Sequence, residues 1–299
     1  MKSHPSTKVR AKEVGIELAL ALCSSVSILT TGGIIAVLLL ESFRFFEEVS
    51  LSQLLFDTQW TPLFLDKHFG IWPLIAGTLL TSAIALSLSV PAGLIIAIYV
   101  SEFATERTRR FLKPILELLA GIPTIVYGYF ALLFITPVLQ FVFPSIGSFN
   151  ALSAGIAMGI MILPMMASLS EDAIYTVPRS LREGAYALGA SKLQMIIGAV
   201  LPAAIGGITA AVILSAARAI GETMIVAIAA GQQPLLHFNP LAPVETMTAY
   251  IVQVSLGDTP HGTLEYHTLF VVAMMLFLLT MALNMISLAI RERFKRMYR

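Results

Sequence analysis

The sequence predicts an all-α, polytopic membrane protein of about six spanning helices. Three observations predict it: of 299 residues, 57% are hydrophobic, only 12% are charged, and the apolar residues gather into six long runs. Soluble domains average roughly 45–50% apolar and about 25% charged residues, so this chain lacks the charge for a water-facing surface all round. A membrane-spanning helix needs about 20 predominantly apolar residues. The runs near 15–40, 71–100, 112–143, 151–170, 198–231 and 268–290 all reach that length. They occupy the chain as one transmembrane domain over 1–299 and leave no separate soluble domain.

The first run follows a basic N-terminal stretch, as a signal peptide would. It extends far past the 7–15 residues of a cleavable apolar core, so it reads as an uncleaved first span. Its Cys23 is the chain's single cysteine, which excludes an intrachain disulfide or a cysteine-ligated zinc cluster. Prolines Pro91, Pro123, Pro137 and Pro164 fall inside or near later runs, where neighbouring helices must satisfy the freed backbone groups.

Orientation follows from the basic residues, because cations near span ends stay on the cytosolic side. With the N-terminus inside, that side collects Lys2, Lys8, Arg10 and Lys12, then Arg107, Arg109, Arg110 and Lys113. Arg179, Arg182 and Lys192 follow, then Arg291, Arg293, Lys295, Arg296 and Arg299, which makes 16 of the 19 cations. Arg44 and Lys67 remain outside, and Arg218 lies within a span. Both termini are therefore expected in the cytosol. The outer segments carry Glu41, Glu47, Glu48, Asp57, Asp66, Glu245, Asp258 and Glu265, expected as solvated charges. Trp60, Trp72, Tyr250 and Tyr266 lie near span boundaries, where interfacial anchors sit. His237, His261 and His267 lack metal-ligand spacing, and no metal site is expected. A net charge of +1 gives no reason to expect a nucleic-acid partner.

The segment 175–197, between the fourth and fifth runs, is the most informative loop. Ser180 with Glu183, and Ser191 with Gln194, have capping-box spacing and signal two helix starts. Gly189 between them is placed to end the first helix in the left-handed conformation. The expected structure is a short helix, a sharp turn, and a second helix that enters the membrane. With Gly184, Ala185 and Ala187 on it, the short helix can lie close to another surface; an ordinary well-capped connection has the same pattern.

Within the fifth run, Arg218 and Glu222 interrupt an otherwise apolar or small stretch. An arginine at membrane depth costs roughly 2.5–3.5 kcal/mol on insertion scales and needs a partner or water. Glu222, four residues on, would share its helix face, with Ser215 on the same side. Gly206, Gly207, Ala210, Ala216 and Ala217 allow close packing elsewhere on that helix. Either the pair only fixes helix packing, or Arg218 offers a planar donor fork to an oxyanion while Glu222 holds it or takes a proton.

E-G-A-Y-A-L-G-A at 183–190, followed by Leu201 and Pro202, resembles the EAA loop of ABC importer permeases, with Gly184 replacing the usual alanine. A-R-A-I-G-E-T-M at 217–224, E-L-L-A-G-I-P-T-I-V-Y-G at 117–128 and F-G-I-W-P-L-I-A-G-T-L-L-T-S at 69–82 resemble the Pst phosphate permeases of the PstC type. The resemblance implies a type I importer (MetI-like) architecture in the bacterial inner membrane. It implies that Glu183, Gly184, Ala185, Ala187, Gly189 and Ala190 form an ATPase-coupling helix, and that Arg218, Glu222 and Ser215 lie on the substrate path. It further implies a PstA-like second permease, a PstB-like ATPase dimer and a PstS-like phosphate-binding protein as partners. No G-x-x-x-x-G-K-[ST] motif occurs, so ATP and Mg would be bound by the ATPase partner, and this chain is expected to be a transporter subunit without enzyme activity or cofactor. The residues alone leave open a sulfate or molybdate permease, or a proton-driven transporter. No H-E-x-x-H or G-x-S-x-G motif supports a membrane enzyme.

Overall fold

The computed structural model describes residues 7–297, with side chains from Glu13 to Ile290 apart from Val14. The terminal cations of the charge census (Lys2, Lys8, Arg10, Lys12, Arg291, Arg293, Lys295, Arg296, Arg299) lie outside those side chains. Helix α1 (Thr7–Glu48) is the first crossing, and a short α2 (Leu51–Phe56) comes after it, started by a complete capping box from Ser50 and Gln53. The second crossing is α3 (Trp72–Ile98), extended by a π-helical turn over Tyr99–Phe103. Then come α4 (Glu106–Gly121), α5 (Thr124–Phe130), a π turn at Ala131–Ile135 and α6 (Thr136–Val142). The fourth crossing is α7 (Ala151–Tyr175), succeeded by α8 (Arg179–Ala187) and α9 (Lys192–Met195). A π turn at Ile196–Val200 leads into α10 (Leu201–Ile220), then α11 (Met224–Ala229), α12 (Met247–Leu256) and α13 (Leu264–Met297).

Six helical stretches are long and apolar enough to span: Gly15–Glu48, Trp72–Phe103, Thr124–Val142, Ala151–Tyr175, Lys192–Ile220 and Leu264–Ile290. Two differ materially from the sequence runs. The run 112–143 is not one span: α4 ends at Gly121, Pro123 lacks the N–H needed to continue it, and the crossing restarts at Thr124. Composition hid this break because both pieces are rich in leucine and isoleucine. The run 198–231 also breaks, since α10 stops at Ile220 and residues 224–229 form a separate short helix. The fourth crossing continues to Tyr175, beyond the end expected near 170.

Helix α7 forms the centre of the bundle and packs most closely on α3. A Cβ on Gly155 would come within 2.6 Å of Ile84, and one on Gly159 within 2.7 Å of Leu88, so these G-x-x-x-G positions let the two backbones approach. Pro137 and Pro202 each lie two residues past a π turn. The wider turn accommodates the backbone carbonyls that proline leaves without a donor.

At the end opposite the basic loops, residues 57–70 fold back over the helix ends, with Thr61 N donating to His68 O (2.9 Å) and Gly70 N to Gln59 O (2.8 Å). Asp57 bonds His68 Nδ1 at 2.8 Å. Trp60 and Tyr250 are buried here, with ring centroids 5.1 Å apart and edge-on, so they are core residues and not interfacial anchors. Trp72 stays exposed and donates its indole N–H to Leu55 O. Glu245, expected as a solvated charge, is buried as well.

Candidate functional sites: the helix break at Arg218 and the loop helix

The fifth crossing breaks about halfway through the bundle. Ser215 Oγ meets Met166 Sδ at 3.7 Å, and Met166 lies near the middle of the 25-residue α7. Arg218, one turn further, is at similar depth and exposed. Among the described residues it makes no hydrogen bond or ion pair. Two residues later α10 ends at Ile220, and the chain turns at Gly221.

The break overturns the expected Arg218–Glu222 pairing, because Glu222 no longer belongs to the same helix. Its Oε1 accepts from Met224 N (3.1 Å) and Ile225 N (3.3 Å), satisfying donors at the start of α11. Thr248 Oγ1 donates to Glu222 O at 2.6 Å, so α12 begins beside the place where α10 stops. The chain between them, 223–246, is a detour that runs to the bundle end and back. There Asn150 N donates to Ala229 O and Val244 N to Ala230 O. Ser215 is fully buried against α7 and is not brought together with Arg218.

The two sequence motifs around this break pack on each other. A Cβ on Gly128 of α5 would lie 3.0 Å from Ile228 Cδ1 and 3.3 Å from Met224 O of α11, so glycine sets their approach. Tyr127 donates its hydroxyl to Leu119 O (2.8 Å), bracing α5 across the Pro123 break onto α4. Spacing alone gave no role for Tyr127 or Gly128, because both roles depend on what the other segment supplies.

The loop 175–197 has the expected helix, turn and helix. Gly189 has φ +81°, and Gly189 N donates to Tyr186 O (2.9 Å) and Ala190 N to Ala185 O (3.1 Å), a Schellman stop. Ser191 and Gln194 complete the second capping box. Ser180 does not cap the first helix. Pro178 precedes its first residue, Arg179, and proline's fixed φ favours a start there. On α8, Glu183, Gly184 and Ala187 are exposed and Ala185 is partly so; Ala190, beyond its end, is also partly exposed. Leu181, Tyr186 and Leu188 also expose apolar surface, with Leu188 at 91%.

Arg182 ties this helix to the bundle. Its Nε and Nη2 donate to Glu102 Oε1 (3.2 and 2.8 Å), Nη1 to Val177 O (2.5 Å) and Nη2 to Ile174 O (2.9 Å). Beside it, buried Glu171 bonds Arg109 Nη2 (2.5 Å) and Lys113 Nζ (3.2 Å), joining α4 to α7. The sequence marks these cations only as signals of orientation, and their carboxylate partners, 58 to 80 residues away, leave no trace in local spacing.

Comparison with known proteins bears on both sites. The family described as "Binding-protein-dependent transport system inner membrane component" matches residues 89–299, which include the loop helix and the broken crossing. The chain belongs to that family. This permease is 35% identical over 233 residues to the "Probable ABC transporter permease protein YqgH" of Bacillus subtilis, covering 78% of this chain and 75% of that one. It is 32% identical over 261 residues to the "Phosphate transport system permease protein PstC" of Xylella fastidiosa (81% and 79% covered). Among solved structures, the MetNI methionine ABC transporter in an inward-facing conformation aligns with a TM-score of 0.54 at 19% identity, over 74% of this permease and 94% of that chain. That likeness establishes a MetI-type ABC importer permease fold.

Proposed function

We propose that this permease forms one half of the translocation path of an ATP-driven phosphate importer in a bacterial inner membrane, with both termini and the basic loops cytosolic. The observation that carries the reading is Arg218. It is exposed near mid-depth without a protein partner among the described residues, where lipid contact would cost roughly 2.5–3.5 kcal/mol. A guanidinium so placed is stable when water, a second subunit or an anion meets it. Its planar donors suit a tetrahedral oxyanion. The relatives named as phosphate permeases support phosphate among the oxyanions.

Glu222 acts in this reading by fixing the turn beside Arg218, not by neutralising it. Helix α8, with Glu183 to Ala190, docks on a PstB-like ATPase dimer that binds ATP and Mg. Its movement reaches α3 through Arg182–Glu102 and α7 through the carbonyls of Ile174 and Val177. A PstA-like permease completes the path, and a PstS-like binding protein delivers phosphate at the opposite face. ATP binding opens the path toward that protein, and hydrolysis returns it to the cytosolic side.

The test is labelled phosphate uptake at low external phosphate in cells whose own permease subunit is replaced by this chain, with sulfate and molybdate as competitors. Uptake that requires the ATPase and resists both competitors supports the reading. Uptake suppressed by either competitor moves the assignment to that oxyanion, and uptake indifferent to ATP makes the protein a secondary transporter.

A further inference from the structure

The segment between α11 and α12 carries a carboxyl group that phosphate passage does not account for. Glu245 is 2% exposed, and its Oε1 has no hydrogen-bond partner. Its backbone packs on Gly77 of α3, where a Cβ would fall 2.2 Å from Glu245 O. The side chain lines a cavity of about 140 Å³ covered by the 60–64 and 232–234 loops. Another buried polar atom at this cavity, Trp60 Nε1, is also without a partner.

The surroundings decide what such a cavity can hold. The lining includes Trp60 and Thr61 from the 60–64 loop, Gln232 and Gln233 from the 232–234 loop, and Tyr250 and Gln253 from α12; Gln232 Nε2 already donates to Ala227 O (2.9 Å). No lysine, arginine or histidine lines it among the described residues. On α13, Glu265 is paired with Lys67, and His267 Nδ1 lies 3.0 Å from Glu41 Oε2. Tyr250 shares its hydroxyl with Thr268 (2.6 Å). An oxyanion would find no cation here, and a metal ion would meet an indole N–H. A buried carboxyl without a counter-charge is stable as the neutral acid.

We propose that this cavity is a proton-binding site, with the proton held on Glu245, and that the two loops close over it only while the proton is there. Burial pushes this carboxyl from 4.5 up to about 8. In the closed arrangement more protons are bound than in an open, solvated one throughout that interval. Closure therefore weakens as pH rises, by up to about tenfold per pH unit, and levels off above the upper value. The inference is independent of which substrate is transported.

The chain has two tryptophans, so Trp72→Phe leaves Trp60 as its single indole reporter. The full chain carrying that change, in nanodiscs, is titrated from about pH 5 to about pH 10 while its emission is followed. The expected result is one transition with a midpoint above the ordinary carboxylate range and no higher than about 8, absent when Glu245→Gln is added. A transition confined to the ordinary carboxylate range, or a Glu245→Gln chain that titrates unchanged, overturns the proposal. Infrared spectroscopy of the otherwise unaltered chain guards against a misfolded variant. A protonated-carboxyl band at neutral pH that disappears under alkaline conditions and shifts in Glu245→Asp supports the site, and absence of that band overturns it.

Discussion

Arg182 and Arg218 are treated in opposite ways by the same fold. Arg182 is 18% exposed at its side chain and spends its donors on one buried carboxylate and two helix-end carbonyls. Arg218 has no such partner among the described residues. A fully satisfied guanidinium holds two elements together and can carry displacement between them, whereas an unsatisfied one is available to something that arrives. The helix stops beside them differ in the same sense. Gly189 requires the left-handed conformation, while Gly221 has an ordinary φ of −86° and depends on Glu222 to organise the start of α11.

The sharpest test of this contrast is Arg218→Gln. Phosphate uptake should fall by about 100-fold, the scale of one lost charge-assisted interaction set, with assembly intact by affinity capture of the partner subunits. Retained uptake would remove Arg218 from the path. Arg182→Gln should damage coupling instead: the ATPase still associates, but transport no longer tracks hydrolysis. In a double-mutant cycle with Glu102→Gln, thermal stability should reveal a coupling energy of about 3 kcal/mol, as for a mostly buried pair. Gly189→Ala should cost about 1–2 kcal/mol of local strain and weaken coupling, while Gly221→Ala, whose Cβ would meet only Ala217 O at 3.4 Å, should be close to neutral. Ser215→Ala removes a hydroxyl that faces sulfur, so uptake should stay within about twofold of the parent. The smallest effect is expected in the folded-back loop. The Asp57 hydrogen bond raises His68 above its usual pKa, so loop stability is full below the unfolded value of 6.5 and is lost as pH rises through the folded one. Asp57→Asn should flatten most of that slope in a protease-sensitivity assay of the loop, leaving the smaller part that Asp66 supplies.

How much the sequence discloses depends on how local the cause is. Gly189 and the Ser191–Gln194 box are legible because their partners lie within a few residues. The six crossings are legible because length and hydrophobicity suffice. The Arg218–Glu222 pairing fails because it assumes an unbroken helix, and the break is stabilised from outside by Thr248, 26 residues away. Burial of Trp60 and Glu245 is likewise invisible, since it arises only when two distant loops close over α12. Ser180 falls inside the loop helix, which starts after Pro178 without a side-chain cap, so its spacing to Glu183 misplaces the start by two residues.

The π turn at Ile196–Val200 fixes the rotational phase between α9 and the arginine on α10. A wider turn absorbs one surplus residue without advancing the helix face, so the stretches on either side stay in phase. Were the same residues wound as a continuous α-helix, everything beyond would rotate by about 100°, the angle of a single residue. Arg218 would then leave the open face and point toward packed neighbours. One irregular turn next to Pro202 thus decides which way a charge 18 residues beyond its end is aimed.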